Sequence, residues 1–392
     1  MADQNKKFET RGIRNQYPRT PFREHSVPLY MTSSFVFDSA EQARALFADE
    51  EEGNIYSRFS NPNSEEFIHK IADMEGAEDG FGTASGMSAV FSGIAAFLQS
   101  GDHLLASRSL FGSTHQIITK ILPRWNIATT YVDVDKPGEW EGAIQDNTRM
   151  LLLETPSNPG LGIIDLEFAG NLAKKHNLIF HVDNCFATPY LQQPVKYGAD
   201  IVTHSATKYI DGQGRAVGGV VVGPEELIKE VRFFCRHTGP AMAPMNAWIF
   251  SKSLETLPVR MERHCENAFE IARYFQDDER LNFVKYPFLE SHPQYELAQK
   301  QMARGGGILT FDLKGGIDKA RRFLDNVQML SHTANLGDAR TIVTHPASTT
   351  HSKLTEEERE RVGVTDGLIR ISAGLEHPSD IIKVIEEGLD AI

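Results

Sequence analysis

The stretch LIFHVDNCFATPYLQQPVKYGADIVTHSATKYIDGQGR (residues 178–215) contains two apolar runs, and both of them end in polar residues. The first run ends at Asp183, and the second leads to Lys208, 25 positions further along. Such short apolar runs bounded by turn signals predict buried strands. The polar residues that follow them are expected to open onto one edge of a sheet.

Other parts of the chain repeat this pattern. LEFAGNLAKKHN has the spacing of a helix, and SGMSAVFSGIAAFLQSGD, from Ser85, predicts a buried helix after a small-residue turn. Further strand candidates are HLLAS (103–107), MLLLET (150–155) and GVVVG (219–223). Apolar strands that alternate with helices indicate an α/β fold with a mostly parallel sheet covered on both faces. In such sheets, ligands bind at the carboxyl ends of the strands.

The ends of the chain differ from this middle part. Residues 1–60 are polar and rich in proline, which predicts an extended N-terminal arm. A helical pattern over residues 245–275 leads into a smaller α+β domain. Its elements are GILTFDL (307–313), a helix near 317–329, TIVTH (341–345), LIRISAG (368–374) and a last helix from Ser379. We therefore predict an arm (1–60), a large domain (61–250) and a C-terminal small domain (251–392).

Composition excludes several classes of protein. The chain has 392 residues, 41% of them hydrophobic and 24% charged, which is typical of a globular protein. A net charge of −13 disfavours a nucleic-acid surface, and the sequence has no signal peptide or membrane-spanning run. The three cysteines lack CxxC spacing, which disfavours a disulfide framework or a zinc ribbon. We expect a cytoplasmic protein without membrane or nucleic-acid partners.

Asp183 and Lys208 form the strongest candidate pair for chemistry. A pyridine cofactor with a phosphate tail needs a lysine for imine formation and a carboxylate that keeps its ring nitrogen protonated. An isolated Asp and Lys would more often be a turn cap and a surface lysine. The surrounding residues favour the cofactor, because two groups of phosphate donors accompany the pair. They are the hydroxyls of Ser205 and Thr207 and the predicted helix start at Ser85, Gly86 and Met87.

Eight segments carry a family resemblance that runs nearly from end to end. They resemble the fold-type I pyridoxal 5′-phosphate (PLP) enzymes of cysteine and methionine metabolism, in family order and at family spacing. The segments are YSRFSNPN (56–63), ASGMSA (84–89), ETPSNP (154–159), VDNCFATPYLQQP (182–194), HSATKYIDGQGR (204–215), PMNAWIF (244–250), HPASTTHSKLTEEER (345–359) and LIRISAGLE (368–376).

The resemblance implies a role for each matching residue. Lys208 would be the Schiff-base and catalytic lysine, and Asp183 would pair with the pyridine nitrogen. Ser85, Gly86, Met87, Ser205 and Thr207 would hold the phosphate, with Asn158 near the ring hydroxyl and Phe111 stacked on the ring. Arg370 would bind the substrate carboxylate, with Asn158 and Asn335 as further substrate contacts. An arginine fork suits a carboxylate because it donates two parallel hydrogen bonds.

The resemblance also implies an assembly. Tyr56 and Arg58 in the arm match a pair that reaches the phosphate of a neighbouring subunit, in a homotetramer built from active-site dimers. Without the resemblance, an exposed Tyr and Arg in a loop would be the simpler interpretation.

Departures from the family pattern select a branch. Phe111 stands where many members have a tyrosine, and Ser113 replaces the cysteine typical of methionine γ-lyases. Together with DGQGR (211–215) these features most resemble the short O-succinylhomoserine sulfhydrylases, which implies γ-replacement of an O-acylhomoserine by sulfide to give homocysteine in methionine biosynthesis. Arg215 is a candidate contact for the succinyl carboxylate, with an ordinary ion pair as the equal alternative. The alternatives within the family are O-acetylhomoserine sulfhydrylase, cystathionine γ-synthase and γ-lyase.

Two interpretations from other classes are weaker. A PLP-binding carrier with a degenerate site would not need both the Lys–Asp pair and Arg370. A metal site is not expected, since His332, His345, His351 and His377 fit no metal-binding spacing. Cys185 beside Asp183 could suggest a nucleophile, but a small packed residue is the simpler interpretation.

Overall fold

A computed structural model describes residues 6–352 and 355–392. The described strands are β1 (Asp79–Thr83), β2 (His103–Ser107), β3 (Ala128–Val132), β4 (Thr148–Glu154), β5 (Ile179–Asp183), β6 (Ile201–Ser205), β7 (Gly219–Gly223), β8 (Leu281–Lys285), β9 (Ile308–Leu313), β10 (Ser331–His332), β11 (Ile342–Thr344) and β12 (Leu368–Ser372).

The described helices are α1 (Phe8–Arg14), α2 (Ala40–Phe47), α3 (Pro62–Glu75), α4 (Gly86–Ala95), α5 (Gly112–Gln116), α6 (Leu166–Lys175), α7 (Thr188–Leu191), α8 (Glu225–Thr238), α9 (Pro244–Leu254), α10 (Leu257–Phe275), α11 (Tyr295–Gln301), α12 (Gly316–Asn326), α13 (Glu356–Arg361) and α14 (Pro378–Asp390). Within the described ranges, no helix is both long and apolar enough to cross a bilayer.

The first sheet has the strand order β1-β7-β6-β5-β4-β2-β3. Its strands from β6 to β3 run parallel, whereas β7 pairs antiparallel with β6 and with β1. The exception has a simple cause: a loop, and not a crossover helix, joins β6 to β7, so the chain returns in the opposite direction. That loop carries Lys208.

Two strands of this sheet were not predicted from the sequence. β1 has the sequence DGFGT, whose two glycines weaken the strand signal. β3 is an edge strand with a mostly exposed or half-exposed pattern, ATTYV, and so lacks a continuous apolar run. Both pair with a buried strand, and tertiary pairing therefore decides their conformation.

The helix predicted over residues 245–275 is two helices, α9 and α10. The chain breaks at Glu255 and Thr256, and Pro258 then occupies the first turn of α10, where its missing N–H is tolerated. The arm also differs from the prediction, because α1 and α2 interrupt its extended course.

Buried side chains form one main core in the large domain and a second in the small domain. The first core reaches Cys265 on α10, and the second begins at Ala268 on the same helix. The chain thus passes from one core to the next within α10, while the domain limits at residues 60 and 250 remain predictions. The small domain contains the second sheet, of order β10-β11-β12-β9-β8.

Candidate active site

Three neighbouring parallel strands end together at one edge of the large sheet. Glu154 on β4 pairs in register with Asp183 on β5, and Asp183 pairs with Thr203 on β6. Strand register therefore places the two carboxyl groups side by side at the carboxyl edge. Thr203, their neighbour on β6, precedes Ser205 by two residues and Lys208 by five. This is the edge at which parallel sheets bind ligands.

Burial makes both carboxyl groups harder to ionise. Burial raises the pKa of Asp183 to about 6, although the backbone N–H of Cys185, 3.1 Å from its Oδ1, and the charge of His204 oppose the shift. Burial and the neighbouring Asp183 also raise the pKa of Glu154 well above its ordinary value. Like charges in one buried site disfavour double ionisation, so the pair holds one negative charge more readily than two.

A buried hydrogen bond between a histidine and a glutamate involves the residue before Ser205. His204 Nε2 lies 2.9 Å from Oε2 of Glu75, and both side chains are buried. Asn184, which follows Asp183, is held by the backbone carbonyl of Gln192 at 2.9 Å. The residues that flank Asp183 and Ser205 are therefore fixed by buried polar contacts.

Lys208 lies on the turn after β6 and points toward the small domain. Its Nζ donates a hydrogen bond of 2.5 Å to Oδ1 of Asn335. Burial lowers the pKa of Lys208 below its ordinary value, and the positive charge of Arg370 adds to the effect. A lowered pKa increases the neutral fraction of the amine, which is the form that acts as nucleophile or base.

The predicted phosphate donors lie close together. A Cβ atom on Gly86 would come within 2.5 Å of the Ser205 Cβ, so only glycine lets the N-terminus of α4 approach the end of β6 this closely. The Ser85 hydroxyl caps the N–H of Ser88 at 3.1 Å. Within the described residues, the N–H groups of Gly86 and Met87 have no partner. A helix N-terminus with such N–H groups attracts an anion.

Thr207 is less available than predicted. Its hydroxyl accepts from the Gly218 N–H at 3.1 Å and contacts the Gly218 carbonyl at 3.3 Å. The hydroxyl of Ser205 has no such partner among the described residues. Ser205 is therefore the better placed of the two hydroxyls for binding an anion beside Gly86.

Arg370 lies on β12 of the small domain and is 1% exposed. Its Nη1 donates to Oδ1 of Asn158 at 3.0 Å, and its Nη2 donates to the backbone carbonyl of Asn335 at 2.9 Å. Its Nε is buried and has no partner among the described residues. An unsatisfied buried guanidinium donor is costly, so this side chain is suited to receive an anionic group.

The turn at residues 349–352 lies against the start of α5, and its His351 is close enough to Arg370 to be affected by that charge. A Cβ atom on Gly112, the residue after Phe111, would lie 3.5 Å from the Thr350 carbonyl oxygen. The Phe111 N–H donates to Oε2 of Glu154 at 2.7 Å. Burial, with a smaller contribution from Arg370, lowers the pKa of His351 to about 4, so this imidazole is neutral. Residues 353 and 354 of the quoted HPASTTHSKLTEEER segment lie outside the described residues.

Tyr56 and Arg58 lie apart from these residues within one chain. Arg58 lies over the rings of Tyr56 and Phe59, and its Nη1 donates to the backbone carbonyl of Arg236. Tyr56 is 40% exposed. Within the described residues, no hydrogen bond joins either of them to Gly86, Met87 or Ser205.

The structure gives Arg215 the alternative role that the sequence left open, an ion pair. Its guanidinium lies 3.0 Å from Oδ1 of Asp211 and also donates to the hydroxyl of Ser253. Asp211 is fully buried, whereas Arg215 is partly exposed. Within the described residues, no hydrogen bond joins Arg215 to Arg370, Asn158 or Asn335, and the proposed contact with a succinyl group has no geometric support.

Two further candidates were Cys185 and the histidines considered as metal ligands. Burial and the neighbouring Asp183 raise the pKa of the Cys185 thiol, which disfavours a nucleophilic thiolate. Across residues 6–352 and 355–392, no group of His, Cys, Asp or Glu has the geometry to hold a metal ion.

Sequence reasoning missed Glu154 and Arg260 as members of the site region. Glu154 ends MLLLE at the same edge as Asp183, which is a signal that strand order alone could have revealed. Arg260 donates to the carbonyls of Tyr209 and Ile210, which follow Lys208. It lies on α10, about fifty positions away, and nothing in the local sequence indicates that contact.

These residues fit a pyridine cofactor with a phosphate tail. The lysine amine, the buried carboxylate pair and the α4 N-terminus with Ser205 lie around one sheet edge, and Arg370 presents an unsatisfied donor nearby. The donor set matches what such a cofactor requires: an amine, a carboxylate and an anion-binding helix start.

Comparisons with known proteins give the same indication. Residues 9–390 match the model of the Cys/Met metabolism PLP-dependent enzymes. The chain is 46% identical to the O-succinylhomoserine sulfhydrylase of Pseudomonas aeruginosa, over 98% of this chain and 96% of that protein. It is 44% identical to an L-methionine γ-lyase of Fusobacterium nucleatum subsp. polymorphum, over 94% of both chains.

A solved structure extends the likeness to three dimensions. It is that of a Campylobacter jejuni protein assigned as an O-acetylhomoserine (thiol)-lyase, with N′-pyridoxyl-lysine-5′-monophosphate in the chain. The two structures superpose with a TM-score of 0.95 at 34% identity, over 98% of this chain and all of the other. The predicted PLP fold type I architecture is thereby confirmed, as is the second, smaller sheet domain.

Proposed function

The chain belongs to the Cys/Met metabolism family of PLP-dependent enzymes, and we propose that it catalyses γ-replacement on an O-acylhomoserine, with O-succinylhomoserine as the preferred substrate. Sulfide is the incoming nucleophile, and the products are homocysteine and the free carboxylic acid. The reaction breaks the bond between Cγ and the acyloxy oxygen and forms a bond between Cγ and sulfur. One proton of hydrogen sulfide balances the carboxylate that leaves.

The observation that carries this proposal is the position of the lysine amine relative to the arginine clamp. Asn335 contacts Lys208 Nζ through its side chain and Arg370 through its backbone carbonyl. An α-amino acid whose carboxylate binds Arg370 would therefore have its Cα–H and Cβ–H bonds near the Lys208 amine. Fixing the substrate beside its base removes much of the entropic barrier to proton transfer.

PLP, when bound, supplies a protonated ring that withdraws electrons from the substrate carbons. Asp183 would hold the proton on the pyridine nitrogen. Ser205 and the start of α4 at Gly86 and Met87 would bind the phosphate, with Ser85 capping the helix and Thr207 contributing if its hydroxyl leaves Gly218. Phe111 would stack on the ring, but it has no hydroxyl and can supply no acid or base.

Lys208 performs the proton transfers. Burial lowers its pKa and so increases the neutral fraction of the amine, which removes a proton from Cα and then from Cβ. Arg370 and Asn158 hold the substrate carboxylate during these steps. When the acyloxy group has left, sulfide adds at Cγ and the lysine returns the protons.

The choice of branch rests on sequence similarity and on Ser113. The sulfhydrylase of P. aeruginosa and the γ-lyase of F. nucleatum differ little in their identity to this chain, at 46% and 44%. Ser113, an exposed residue next to Gly112, replaces the cysteine typical of γ-lyases. γ-Lyase activity is the second candidate, and the similarity to the F. nucleatum enzyme supports it.

Assembly and location complete the proposal. We infer a cytoplasmic homotetramer of active-site dimers, in which Tyr56 and Arg58 reach the phosphate of the neighbouring subunit. The 40% exposure of Tyr56, and the absence of any hydrogen bond from the pair to Gly86, Met87 or Ser205 among the described residues, agree with a role outside their own subunit.

The deciding experiment is steady-state turnover of O-succinylhomoserine, O-acetylhomoserine and L-methionine, each with sulfide, with cysteine and without a thiol. Homocysteine formation that is fastest from O-succinylhomoserine and sulfide supports the proposal. Faster cystathionine formation with cysteine indicates a cystathionine γ-synthase, and faster 2-oxoacid release without a thiol indicates a γ-lyase. A preference for O-acetylhomoserine contradicts the proposed acyl group.

A further inference from the structure

The turn that carries Lys208 has four consecutive backbone carbonyls, those of residues 208–211, that lie outside any regular helix. Each of them has a donor. The Lys208 carbonyl accepts from the Gly212 N–H at 2.8 Å, whereas the next three carbonyls accept from arginine side chains. Two guanidinium groups therefore do for this turn what backbone N–H groups do inside a helix.

Arg260 on α10 satisfies two of these carbonyls. Its Nη1 donates to the Tyr209 carbonyl at 2.6 Å, and its Nη2 donates to the Ile210 carbonyl at 3.2 Å. The same Nη2 donates to the Ser253 carbonyl at 2.9 Å. Arg260 is 7% exposed, so these hydrogen bonds are shielded from water and hold the turn against α10.

Arg215 donates to the fourth carbonyl, that of Asp211, and so links two residues of the same loop. Its Nη2 lies 3.2 Å from the Asp211 carbonyl, and its Nε lies 3.0 Å from the Asp211 Oδ1. The buried Asp211 carboxylate also accepts from the Arg215 N–H at 2.7 Å. The Asp211 carboxylate is thus paired with Arg215, and both Arg215 and Arg260 contact Ser253.

Close packing around the loop leaves little freedom for it to move. Gly212 has φ +69° and lies directly against the Arg260 guanidinium, where a Cβ atom has no room. The Gly212 carbonyl accepts from the Ala339 N–H at 2.9 Å. A Cβ on Gly337 would come within 2.6 Å of the Tyr209 nitrogen. Through residues 337 and 339, the loop that presents Asn335 is therefore anchored to the turn that carries Lys208.

We propose that Arg260 and Arg215, which both contact Ser253, are positioning residues for Lys208. They hold the turn of residues 208–211 so that the lysine amine meets Oδ1 of Asn335 and the substrate carbons. The inference rests on the proposed role of Lys208 in proton transfer. It replaces the substrate-contact role considered for Arg215 with one that acts through the backbone of Lys208.

The test compares three variants with a matched control. Arg215→Gln removes the charge and the fork, Arg215→Lys keeps only the charge, and Arg260→Lys keeps a buried cation that cannot reach two carbonyls at once. The control is Arg280→Gln, whose 35% exposed side chain pairs with Asp278 far from the turn, much as the 39% exposed Arg215 pairs with Asp211. Circular dichroism verifies that each variant is folded.

The first readout is exchange of the α-proton of L-norleucine in D₂O, followed by NMR. This amino acid has no leaving group, so its exchange needs Lys208 but neither an O-acylhomoserine nor sulfide. Arg215→Gln and Arg260→Lys should lower the exchange rate at saturation about ten- to a hundredfold, with less than about a threefold change in half-saturation. Arg215→Lys should recover part of the loss, and Arg280→Gln should match wild type.

The second readout uses the apoprotein and needs no activity. The pH midpoint for acetylation of Lys208, measured on its peptide by mass spectrometry, should rise toward the ordinary lysine value of 10.5 in Arg215→Gln, because a looser turn lets water reach the amine. Wild-type exchange and an unchanged midpoint in Arg215→Gln would overturn the proposal, even if Arg260→Lys fails to fold.

The outcomes separate this inference from the proposed function. A wild-type enzyme that exchanges the norleucine proton but uses no O-acylhomoserine contradicts the proposed function alone. If Arg215→Gln loses kcat/KM only for O-succinylhomoserine and keeps norleucine exchange, then Arg215 is a substrate contact and the positioning role is wrong.

Discussion

Asn335 joins the two groups on which the proposed chemistry depends: its Oδ1 lies 2.5 Å from Nζ of Lys208. Its backbone carbonyl also accepts from Nη2 of Arg370 at 2.9 Å. One residue of the small domain therefore fixes the distance between the proposed base and the proposed carboxylate clamp.

Replacing Asn335 should separate geometry from charge. Asn335→Ala removes one hydrogen-bond acceptor and should lower kcat up to about tenfold, the range expected for a single neutral hydrogen bond. Asn335→Asp places a carboxylate beside the amine, which should raise the pKa of Lys208 and move the rising limb of the pH–kcat profile to higher pH. An unshifted profile in Asn335→Asp would mean that this contact is absent during turnover. Asn326→Ala, at the end of α12, is the control.

Lys208→Ala should abolish turnover and the visible absorbance of lysine-bound PLP. Among the lysines that the structure describes, Lys208 is the one that follows β6 and contacts Asn335 at this sheet edge. Borohydride reduction followed by peptide mass spectrometry should find the cofactor on the Lys208 peptide in wild type and in Lys196→Ala, and on no peptide in Lys208→Ala. Retained turnover in Lys208→Ala would refute the mechanism.

Protonation of Asp183 should reduce kcat at low pH. Burial raises its pKa to about 6 in the protein without cofactor, and the positive charge of a bound pyridine ring would lower it. The kcat of the wild-type holoenzyme should therefore fall as the pH drops through a value below about 6. Asp183→Asn should lose most activity at every pH. A pH-independent, near wild-type rate in Asp183→Asn would assign the role to another group, with Glu154→Gln as the first variant to examine.

The same carboxyl group should make the apoprotein more stable at low pH, where activity is expected to be lower. The folded state holds this proton more tightly than the unfolded state does, because the pKa of Asp183 is higher in the folded protein. The resulting stabilisation is fully present below the unfolded pKa and is lost as the pH rises through about 6. Asp183→Asn should therefore raise the apoprotein Tm by about 2 °C at roughly pH 8 and by less at roughly pH 5. Equal shifts at both pH values would contradict the raised pKa.

Subunit mixing should reveal whether Arg58 acts on its neighbour. Arg58→Ala and Lys208→Ala subunits would each have a defective site in their own dimers, whereas a mixed dimer would have one intact site if the arm crosses over. Equal mixing should therefore recover about a quarter of wild-type activity. No recovery after confirmed subunit exchange would place Arg58 in its own subunit's site.

Gly212 should be costlier to replace than other glycines with positive φ. Gly212→Ala combines a left-handed backbone with a Cβ pressed against Arg260, and we expect a loss of about 2 to 4 kcal/mol in the free energy of unfolding. Gly239→Ala has φ +90° but nothing within 4 Å of the new Cβ, so it should lose only about 1 kcal/mol. Equal losses in chemical denaturation would show that the contact with Arg260 is not tight.

The sequence by itself predicted the α/β class, the strands β2, β4, β5 and β6 of a mostly parallel sheet, and the placement of Asp183 and Lys208 at one edge of that sheet. These features follow from local signals, because a buried strand reads as an apolar run and parallel strands open their polar ends at one edge. The cofactor pair was accessible for the same reason: both residues directly follow such runs. The sequence also grouped Gly86 with Ser205 as donors to one anion, and the structure then showed their close approach.

Tertiary structure alone decided the direction of β7, the break between α9 and α10, and the partner of Arg215. Each depends on contacts between residues far apart in the chain. Arg260 is about fifty positions from Tyr209, and Asn335 is 127 positions from Lys208. A long polar side chain has several possible partners, and only the packed chain selects among them through burial. Arg215 could serve a substrate or an ion pair on sequence grounds, and the buried Asp211 beside it favours the ion pair because an unpaired buried carboxylate would be far more costly.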